Sequence, residues 1–449
     1  MTLNEIVRAC RGSFGYPAEI EINKITTSLE KVNTGDVFIC LTEDENTPAD
    51  AFSKGAVAVV CKKSVKDVKC IIVDDTRVAL LQIAEFYRKK FPVKLFAITG
   101  SVGKTTVAIM LDKILSLDGE TLSTKENHHN EIGLPTTLFE LSESCKNAVV
   151  EMGLSAESNS ISALSTVAQP DVCIITNIGY SHFETTQSLE ATLKAKLKVL
   201  DGASYSAPLV INKDDKLLAT LDFFGMRKII TYSTKDKTAD FYAENVKTSE
   251  EKLTFNVNYP DGKIKISLNC MGYHNVSNAL CAFATAYSQG IDAEKIAEGL
   301  SQYIPDNYRQ QFIKTKSCRV LADLSNFSPE AVRASAEIIK NCKTGENGRR
   351  IAVLSDMTSL GKKSQSLHKS VGESREKSNI DLLFCIDERA EGYIQGAVKK
   401  GLCEQNARLF SDKEELKKAL KETVRPEDVV LLKCRREYTP FEILEELDK

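Results

Sequence analysis

A buried strand, a glycine-containing loop and a helix follow one another near residue 100, and this order constrains the fold more than any other stretch. The strand LFAITG ends at Gly100, and the apolar spacing of SVGKTTVAIMLDKIL predicts a helix directly after the loop. Backbone N–H groups in such a loop, together with the helix N-terminus, attract phosphate oxygens. The sequence therefore predicts a phosphate-binding loop at the edge of a parallel α/β sheet.

The predicted loop has the residue types that a nucleoside triphosphate requires. Lys104 can reach the β and γ phosphates, and the hydroxyl of Thr105 can hold Mg²⁺. Ile98 stands where the full G-x-x-x-x-G-K-[ST] pattern has its first glycine, so this is a shortened form of the loop. The residues of this stretch that we predict to bind ATP are Gly100, Ser101, Val102, Gly103, Lys104, Thr105 and Thr106.

Composition excludes several other classes of protein. A net charge of -3 and a pI near 6.1 predict no basic surface for nucleic acid. No apolar run approaches the roughly 18 residues that a membrane-spanning helix needs. Thirteen cysteines without a CxxC pair favour reduced thiols. We therefore expect a cytoplasmic, monomeric enzyme that acts on small molecules and binds neither nucleic acid nor membrane.

Apolar runs that alternate with helical patterns predict three α/β domains, at residues 1–88, 89–305 and 306–449. The central domain is expected to hold a parallel sheet with one antiparallel hairpin inserted around Pro260, Asp261 and Gly262. The last domain is expected to be Rossmann-like, with strands at RVLADL, RIAVLSDM, DLLFCID and DVVLLKC. Ser328, followed by proline and glutamate, predicts the start of a helix after the first of these strands.

Polar residues follow two other predicted strands of the central sheet. Glu151 closes NAVVEMG, and His182 comes a few residues after VCIITNIG. Because ligands bind beyond the carboxyl ends of parallel strands, both side chains are candidates to hold a second Mg²⁺ near the γ-phosphate. The structural alternative is a solvated strand end for Glu151 and a hydrogen-bonded loop residue for His182.

One lysine in the run SLEATLKAKLKVL is predicted to face the interior. At about 100° per residue, Lys194 and Lys198 share one helical face, while Lys196 lies on the opposite side with the leucines. Burial would lower the pKa of Lys196 and leave a nucleophilic amine. The alternative is a lysine whose stem lies along an apolar stripe while its ammonium group reaches water.

Several motifs together resemble those of the Mur ligase family. TGSVGKTT is similar to the family's shortened phosphate loop, VVEMG to its magnesium glutamate, and TNIGYSHFETTQSLEATLKAK to its histidine and lysine signature. GYHNVSNALCAFATA is similar to the adenine-side motif, and AVLSDMTSLGKKSQSLHKSVGE to a long segment of the C-terminal domain. The resemblance covers the central and C-terminal domains and implies the three-domain Mur ligase architecture.

The resemblance also implies roles for individual residues. It assigns catalysis to Lys104, His182 and Lys196, and Lys196 would be carbamylated so that its carbamate bridges magnesium. The implied metal ligands are Thr105, Glu151, His182 and Lys196. The implied further ATP contacts are His274, Asn275, Asn278, Arg309 and Asp323. The implied substrate contacts are Asn127, His129, Asn326, Asp356, Lys433 and Arg436.

The activity that this resemblance implies is ATP-dependent ligation of a carboxylate to an amine through an acyl phosphate, with ATP and Mg²⁺ as cofactors. The expected reaction adds D-alanyl-D-alanine to a UDP-muramoyl tripeptide in peptidoglycan precursor synthesis. Ser28, Leu29 and Glu30 replace the family's D-S-R, and His129 replaces an asparagine. These departures leave open a ligase of the same fold that joins another carboxylate and amine. A non-catalytic ATP-binding scaffold and a regulatory NTPase are weaker alternatives.

Overall fold

The computed structural model describes residues 1–125, 128–154, 160–305, 308–374 and 378–448. Within these residues the strands form three sheets of four, nine and six strands, one in each predicted domain. All thirteen cysteines are free thiols, and only Cys403 is exposed. Among the described helices, none is long and apolar enough to cross a membrane.

The N-terminal part is a small parallel sheet in the order β1-β2-β3-β4. Its first helix begins with a capping box in which the Thr2 hydroxyl accepts from the Glu5 N–H and the Glu5 carboxylate accepts from the Thr2 N–H. The elements are α1 (Leu3–Ala9), β1 (Ile25–Thr26), β2 (Val37–Ile39), α2 (Thr47–Ser53), β3 (Ala58–Cys61), β4 (Cys70–Ile72) and α3 (Thr76–Arg88).

The central part is built on the sheet β13-β12-β11-β10-β9-β8-β5-β7-β6, in which β12 runs antiparallel to both of its neighbours, β11 and β13. The predicted hairpin is confirmed, because β12 and β13 pair across Pro260 and Asp261. The elements are β5 (Lys94–Thr99), α4 (Lys104–Ser116), β6 (Glu120–Ser123), α5 (Gly133–Leu138), β7 (Cys145–Glu151), α6 (Ser160–Ala168), β8 (Val172–Ile175), α7 (Phe183–Thr186), α8 (Leu189–Leu197), β9 (Leu209–Asn212), β10 (Ile229–Ser233), β11 (Phe241–Thr248), β12 (Leu253–Tyr259), β13 (Gly262–Leu268), α9 (His274–Tyr287) and α10 (Ala293–Ser301).

The C-terminal part is the sheet β14-β15-β19-β16-β17-β18, in which β14 alone runs antiparallel to its neighbour among the described strands. The four predicted strands are β15, β16, β17 and β19, whereas the edge strands β14 and β18 were not predicted. The elements are β14 (Gln311–Lys314), β15 (Arg319–Ala322), α11 (Pro329–Lys340), β16 (Arg350–Ser355), α12 (Ser364–Gly372), β17 (Leu382–Ile386), α13 (Glu391–Lys399), β18 (Ala407–Phe410), α14 (Lys413–Thr423), β19 (Val429–Lys433) and α15 (Pro440–Asp448).

The central sheet is buried on both faces, as parallel sheets usually are. Helices α4, α9 and α10 pack against one face, and α5 and α6 pack against the other. Strands β5, β7 and β8 are adjacent and parallel, so their carboxyl ends lie at one edge of the sheet. This edge brings together the phosphate loop, Glu151 and the segment that follows β8.

Arg88 ties the N-terminal part to the central part and is only 8% exposed. Its guanidinium donates to the carbonyls of Ala168, Phe91 and Val93 at 2.8–3.0 Å. Replacing it with methionine leaves three buried carbonyls without their charged donor, so we expect a loss of about 3 kcal/mol in stability. Urea denaturation measures this loss, and Arg77→Met, at an exposed position of the same helix, should change stability by less than about 0.5 kcal/mol. An unchanged midpoint for Arg88→Met would contradict the prediction.

Candidate active site

The phosphate loop connects β5 to α4, and two of its glycines have backbone conformations that other residues rarely adopt. Gly100 has a φ of 149° and Gly103 a φ of 83°. A Cβ atom on Gly100 would collide with the Thr176 hydroxyl, and one on Gly103 would come within 2.5 Å of the Asn278 side-chain oxygen. The loop therefore requires glycine at both positions, and it leads directly into helix α4 at Lys104.

Lys104 lies at the centre of the charged groups of the site. Its Nζ donates to the Gly100 carbonyl oxygen at 2.9 Å, so the side chain folds back over the loop. Burial lowers the pKa of Lys104, while the nearby Glu151 carboxylate opposes this effect and Arg309 adds to it. An ammonium group in this position is available to the phosphates of a nucleotide.

Thr105 and Glu151 bring two oxygen ligands together at the end of β7. The Thr105 hydroxyl donates to Glu151 Oε2 at 3.0 Å, and Glu151 is only 4% exposed. Burial raises the pKa of Glu151, although Lys104 and the Thr105 hydroxyl oppose this shift. A hydroxyl beside a buried carboxylate is a donor set that suits Mg²⁺, which prefers hard oxygen ligands and uses substrate phosphates for the rest of its shell.

The segment after β8 closes the other side of the phosphate loop through Asn177. Its side chain accepts from the Val102 N–H at 3.0 Å and donates to the Val102 carbonyl at 3.0 Å. The Ser101 hydroxyl likewise donates to the Gly179 carbonyl and accepts from the Gly179 N–H. Asn177 was not predicted as a site residue, although its position at the end of a central strand is the same signal that identified Glu151.

His182 follows this segment and has a φ of 57°, in the left-handed region. Burial, together with the charges of Lys104 and Lys196, lowers the pKa of His182 to about 4. The imidazole is therefore neutral at physiological pH, which is the form that can bind a metal ion.

Lys196 is buried, with 2% of its surface exposed, whereas Lys194 is exposed. On α8 it shares its inward face with Thr192, one helical turn earlier. Burial holds the pKa of Lys196 well below its usual value, and the charge of Lys104 lowers it further. The side chain thus combines a strongly favoured neutral amine with a place beside the phosphate loop.

A cavity of about 320 Å³ lies between the central and C-terminal parts and contains most of the predicted ATP contacts. It is lined by Val102, Gly103, Lys104, Thr105, Thr106, Asn177, Asn212, His274, Ser277, Asn278, Tyr303, Arg309, Gln310, Asp323, Ser325, Asn326, Glu330, Ala331 and Ala334. Among the lining residues that we did not predict, Asn177 and Ser277 lie inside motifs quoted for the family resemblance, whereas Asn212 and Tyr303 lie outside them.

The N-terminus of α9 forms one wall of this cavity. His274 Nε2 and the Gln310 side-chain oxygen are 2.9 Å apart, a hydrogen bond that links α9 to the start of the C-terminal part. Asn275 is buried, donates to the Met271 carbonyl and accepts from Asn278. Asn275 therefore supports the cavity wall from behind, while His274 and Asn278 face the cavity.

The predicted substrate residues of the C-terminal part have different surroundings. Asn326 lines the cavity and donates to the Ser101 carbonyl at 3.4 Å. Lys433 is buried and donates to Asp323 Oδ2 at 2.8 Å, so its charge holds Asp323 in place. Arg436 is exposed and is not among the residues that line the cavity.

Asp356 also differs from the expectation of a substrate contact, because its side chain is fully buried. It pairs with Arg435 at 2.6 Å and with Arg389 at 3.1 Å. Arg389 and Tyr438 both bond Asp387 at 2.9 Å, and Tyr438 bonds Arg435 at 3.1 Å, which closes a ring of side chains around Asp356. The ring connects the loops after β16, β17 and β19.

His129 lies near Lys104, whereas Asn127 falls outside the described residues. The His129 carbonyl accepts from the Gly153 N–H at 2.8 Å, and its ring packs on Gly153. Burial lowers the pKa of His129, with added contributions from Lys104 and Arg309. The described residues contain no cluster of three or more His, Cys, Asp or Glu side chains suited to a metal ion.

These features define a P-loop nucleotide-binding enzyme made of three α/β parts. Residues 98–286 match the family model of the Mur ligase middle domain, and residues 308–436 match that of the Mur ligase glutamate ligase domain. The chain belongs to the Mur ligase family and is an ATP-dependent ligase. The family resemblance and the α/β architecture predicted from the sequence are confirmed.

Two relatives that span nearly the whole chain carry the same name. The chain is 31% identical to UDP-N-acetylmuramoyl-tripeptide–D-alanyl-D-alanine ligase of Buchnera aphidicola, over 100% of this chain and 98% of the relative. It is 30% identical to the enzyme of that name from Bacillus subtilis, over 99% of this chain and 98% of that enzyme. A crystal structure of MurF from Acinetobacter baumannii is 25% identical in sequence and matches with a TM-score of 0.89. The match covers 99% of this chain and 98% of the MurF chain.

Proposed function

We propose that the protein joins D-alanyl-D-alanine to UDP-N-acetylmuramoyl tripeptide in peptidoglycan precursor synthesis, with ATP and Mg²⁺. One observation carries the proposal: Lys104, Glu151, His182 and Lys196 converge at one edge of the central sheet. The full-length similarity to ligases of that name supports the choice of substrates.

The chemistry needs an activated carboxylate. The tripeptide carboxylate attacks the γ-phosphorus of ATP, which breaks the bond to ADP and gives an acyl phosphate. The dipeptide amine then attacks the acyl carbon, loses a proton, and expels inorganic phosphate as the amide forms. Lys104 stabilises the negative charge on the transferred phosphoryl group, and the walls of the cavity limit the access of the water that would hydrolyse the acyl phosphate.

Four side chains are proposed to hold Mg²⁺, which neutralises phosphate charge during the transfer. Thr105 and Glu151 supply adjacent oxygens 3.0 Å apart, and His182 supplies a neutral imidazole. Lys196 would contribute as a carbamate, because CO₂ adds to an uncharged amine and burial favours that form. The addition converts a basic side chain into an anionic ligand.

We further propose that residues 1–88 bind the UDP-sugar, residues 89–305 the nucleotide, and residues 306–449 the incoming amine, in a cytoplasmic monomer. A second candidate is a ligase for a different carboxylate. It is favoured by Glu30, an exposed acid in the short helix Leu29–Lys31, where the family has an arginine. A carboxylate at that position repels a pyrophosphate instead of attracting it.

Phosphate release tests the proposed function. Purified protein with ATP and Mg²⁺ is assayed with UDP-muramoyl tripeptide and D-alanyl-D-alanine, together and singly, and the product is identified by mass spectrometry. We expect sustained phosphate release only when both substrates are present, together with a product that contains the dipeptide.

L-Alanyl-L-alanine is the matched control, because it has the same composition and charge and should give no product. Stimulation by other carboxylates, with none by the muramoyl peptide, would select the second candidate. Phosphate release that no carboxylate and amine pair stimulates would refute both.

A further inference from the structure

His182 belongs to a short segment, residues 179–184, which we call the histidine segment. Its first residue, Gly179, is bonded to Ser101 of the phosphate loop. Beyond that point, the backbone N–H groups of Tyr180 and Glu184 both donate to residues of the C-terminal part of the chain. This arrangement matters because His182 itself has a φ of 57°. A non-glycine residue keeps such a conformation when its surroundings fix it, and residues of this kind cluster at functional sites.

Glu330, at the start of α11, makes the first of these contacts. Its Oε1 accepts from the Tyr180 N–H at 3.2 Å across a sequence separation of 150 residues. The same carboxylate lies against Gly179, where a Cβ atom would come within 2.8 Å of the carboxyl carbon. The absence of a side chain at Gly179 is therefore what lets Glu330 reach the histidine segment. Glu330 also lines the nucleotide cavity.

The loop after β16 contacts the other end of the segment. The Ser359 carbonyl accepts from the Glu184 N–H at 2.9 Å, and Ser359 also has a φ of 57°. Gly361, with a φ of 53°, lies close to Glu184, so a Cβ atom there would be 3.3 Å from the Glu184 Cα. Left-handed residues thus occur on both sides of this one hydrogen bond.

Two aromatic rings strengthen the same interface. The Tyr180 ring packs against the apolar core of the C-terminal part, and its centroid is 5.1 Å from that of Phe183. The Lys363 Nζ lies 4.9 Å from the centre of the Phe183 ring, in a cation–π contact. Hydrogen bonds and ring contacts from the C-terminal part therefore flank His182 on both sides in sequence.

From this geometry we infer that Glu330 and the loop at residues 359–363 are positioning residues that hold His182 in its left-handed conformation. The C-terminal part thereby fixes where the His182 ring lies for phosphoryl transfer. The inference rests on the proposed function for the role of His182. Glu330 and Ser359 contact Tyr180 and Glu184, which flank His182. They are not proposed to contact the reacting atoms.

Glu330→Ala tests the inference, with Glu330→Gln as the conservative variant and Glu337→Ala, an exposed acid on the same helix, as the matched control. We expect Glu330→Ala to lower kcat by about 10- to 100-fold and to change KM for ATP by less than about 3-fold, because it misplaces a metal-binding group while the cavity remains. Glu330→Gln keeps the oxygen that accepts from Tyr180 and should recover part of the loss. Glu337→Ala should match the wild type.

Hydrogen exchange gives a second readout that does not depend on turnover. With Mg²⁺ and a non-hydrolysable ATP analogue bound, we expect the Tyr180 and Glu184 amides to exchange about 10-fold faster in Glu330→Ala than in the wild type. Gly361→Val places a side chain against Glu184, at the opposite end of the histidine segment from Glu330. It should cause the same changes in amide exchange and in kcat. Circular dichroism checks that each variant is folded.

Unchanged exchange and unchanged kcat in Glu330→Ala would overturn the inference. A raised KM for ATP with unchanged kcat would also overturn it, because Glu330 would then be a nucleotide contact. Failure of the wild type to join the muramoyl peptide and the dipeptide would refute the proposed function instead, and the exchange comparison would still report on the histidine segment.

Discussion

Lys104→Met should lower kcat for ligation by about 10³-fold and leave the protein folded. Methionine keeps most of the length of the side chain but removes the charge, so the γ-phosphoryl group loses the ammonium that stabilises its developing negative charge. The effect should be this large because the ammonium is desolvated, lines the cavity and has Glu151 as its nearby counter-charge. Single-turnover phosphate release with saturating ATP measures it directly.

Lys113→Met provides the matched control, because Lys113 lies in the last turn of the same helix, α4, away from the loop. It should retain wild-type kcat and a wild-type melting temperature. If Lys104→Met retained more than about one tenth of the activity, the assignment of Lys104 to the transferred phosphoryl group would be wrong.

The features that the sequence predicted well are those determined by neighbouring residues. A strand, a glycine turn and a helix specify the phosphate loop, and the spacing of apolar residues turns Lys196 inward, where it is buried beside Thr192. Ser328 caps α11 as predicted, with its hydroxyl accepting from the Ala331 N–H at 3.4 Å. In each of these cases the signal and the structure lie within a few residues of each other.

The features that the sequence did not predict depend on residues that are distant along the chain. Glu330 bonds the Tyr180 N–H, and neither residue has a local pattern that points to the other. Asp356 occurs in a motif that implied substrate contact, yet Arg435 and Arg389, from two other strand ends, pair with it and bury it. Docking of two parts of the chain creates the first contact, and the order of strands within the C-terminal sheet creates the second. Hydrophobic periodicity carries no information about either.

Replacing Lys196 should abolish ligation whether or not the new residue is charged. Lys196→Ala removes the amine, and Lys196→Arg keeps a cation that does not lose its proton, so neither can carry a carbamate. We expect both to lower kcat by about 10³-fold. If Lys196 acted only through its positive charge, Lys196→Arg would keep part of the ligation activity. The two variants therefore distinguish a lysine that acts as a cation from one that carries a carbamate. Kinetics at saturating ATP and Mg²⁺ measure the effect.

The proposed carbamate can be tested for in solution. With ¹³C-bicarbonate, the wild type should give a carbamate carbonyl signal in ¹³C NMR that is lost in Lys196→Ala. Lys194→Ala, which removes an exposed amine two residues away, should keep both the signal and the activity. We expect the carbamate at Lys196 and not at Lys194, because burial favours the uncharged amine at Lys196 whereas Lys194 is exposed to water. Full activity of Lys196→Arg, or an unchanged NMR signal in Lys196→Ala, would show that the buried lysine is not the modified ligand.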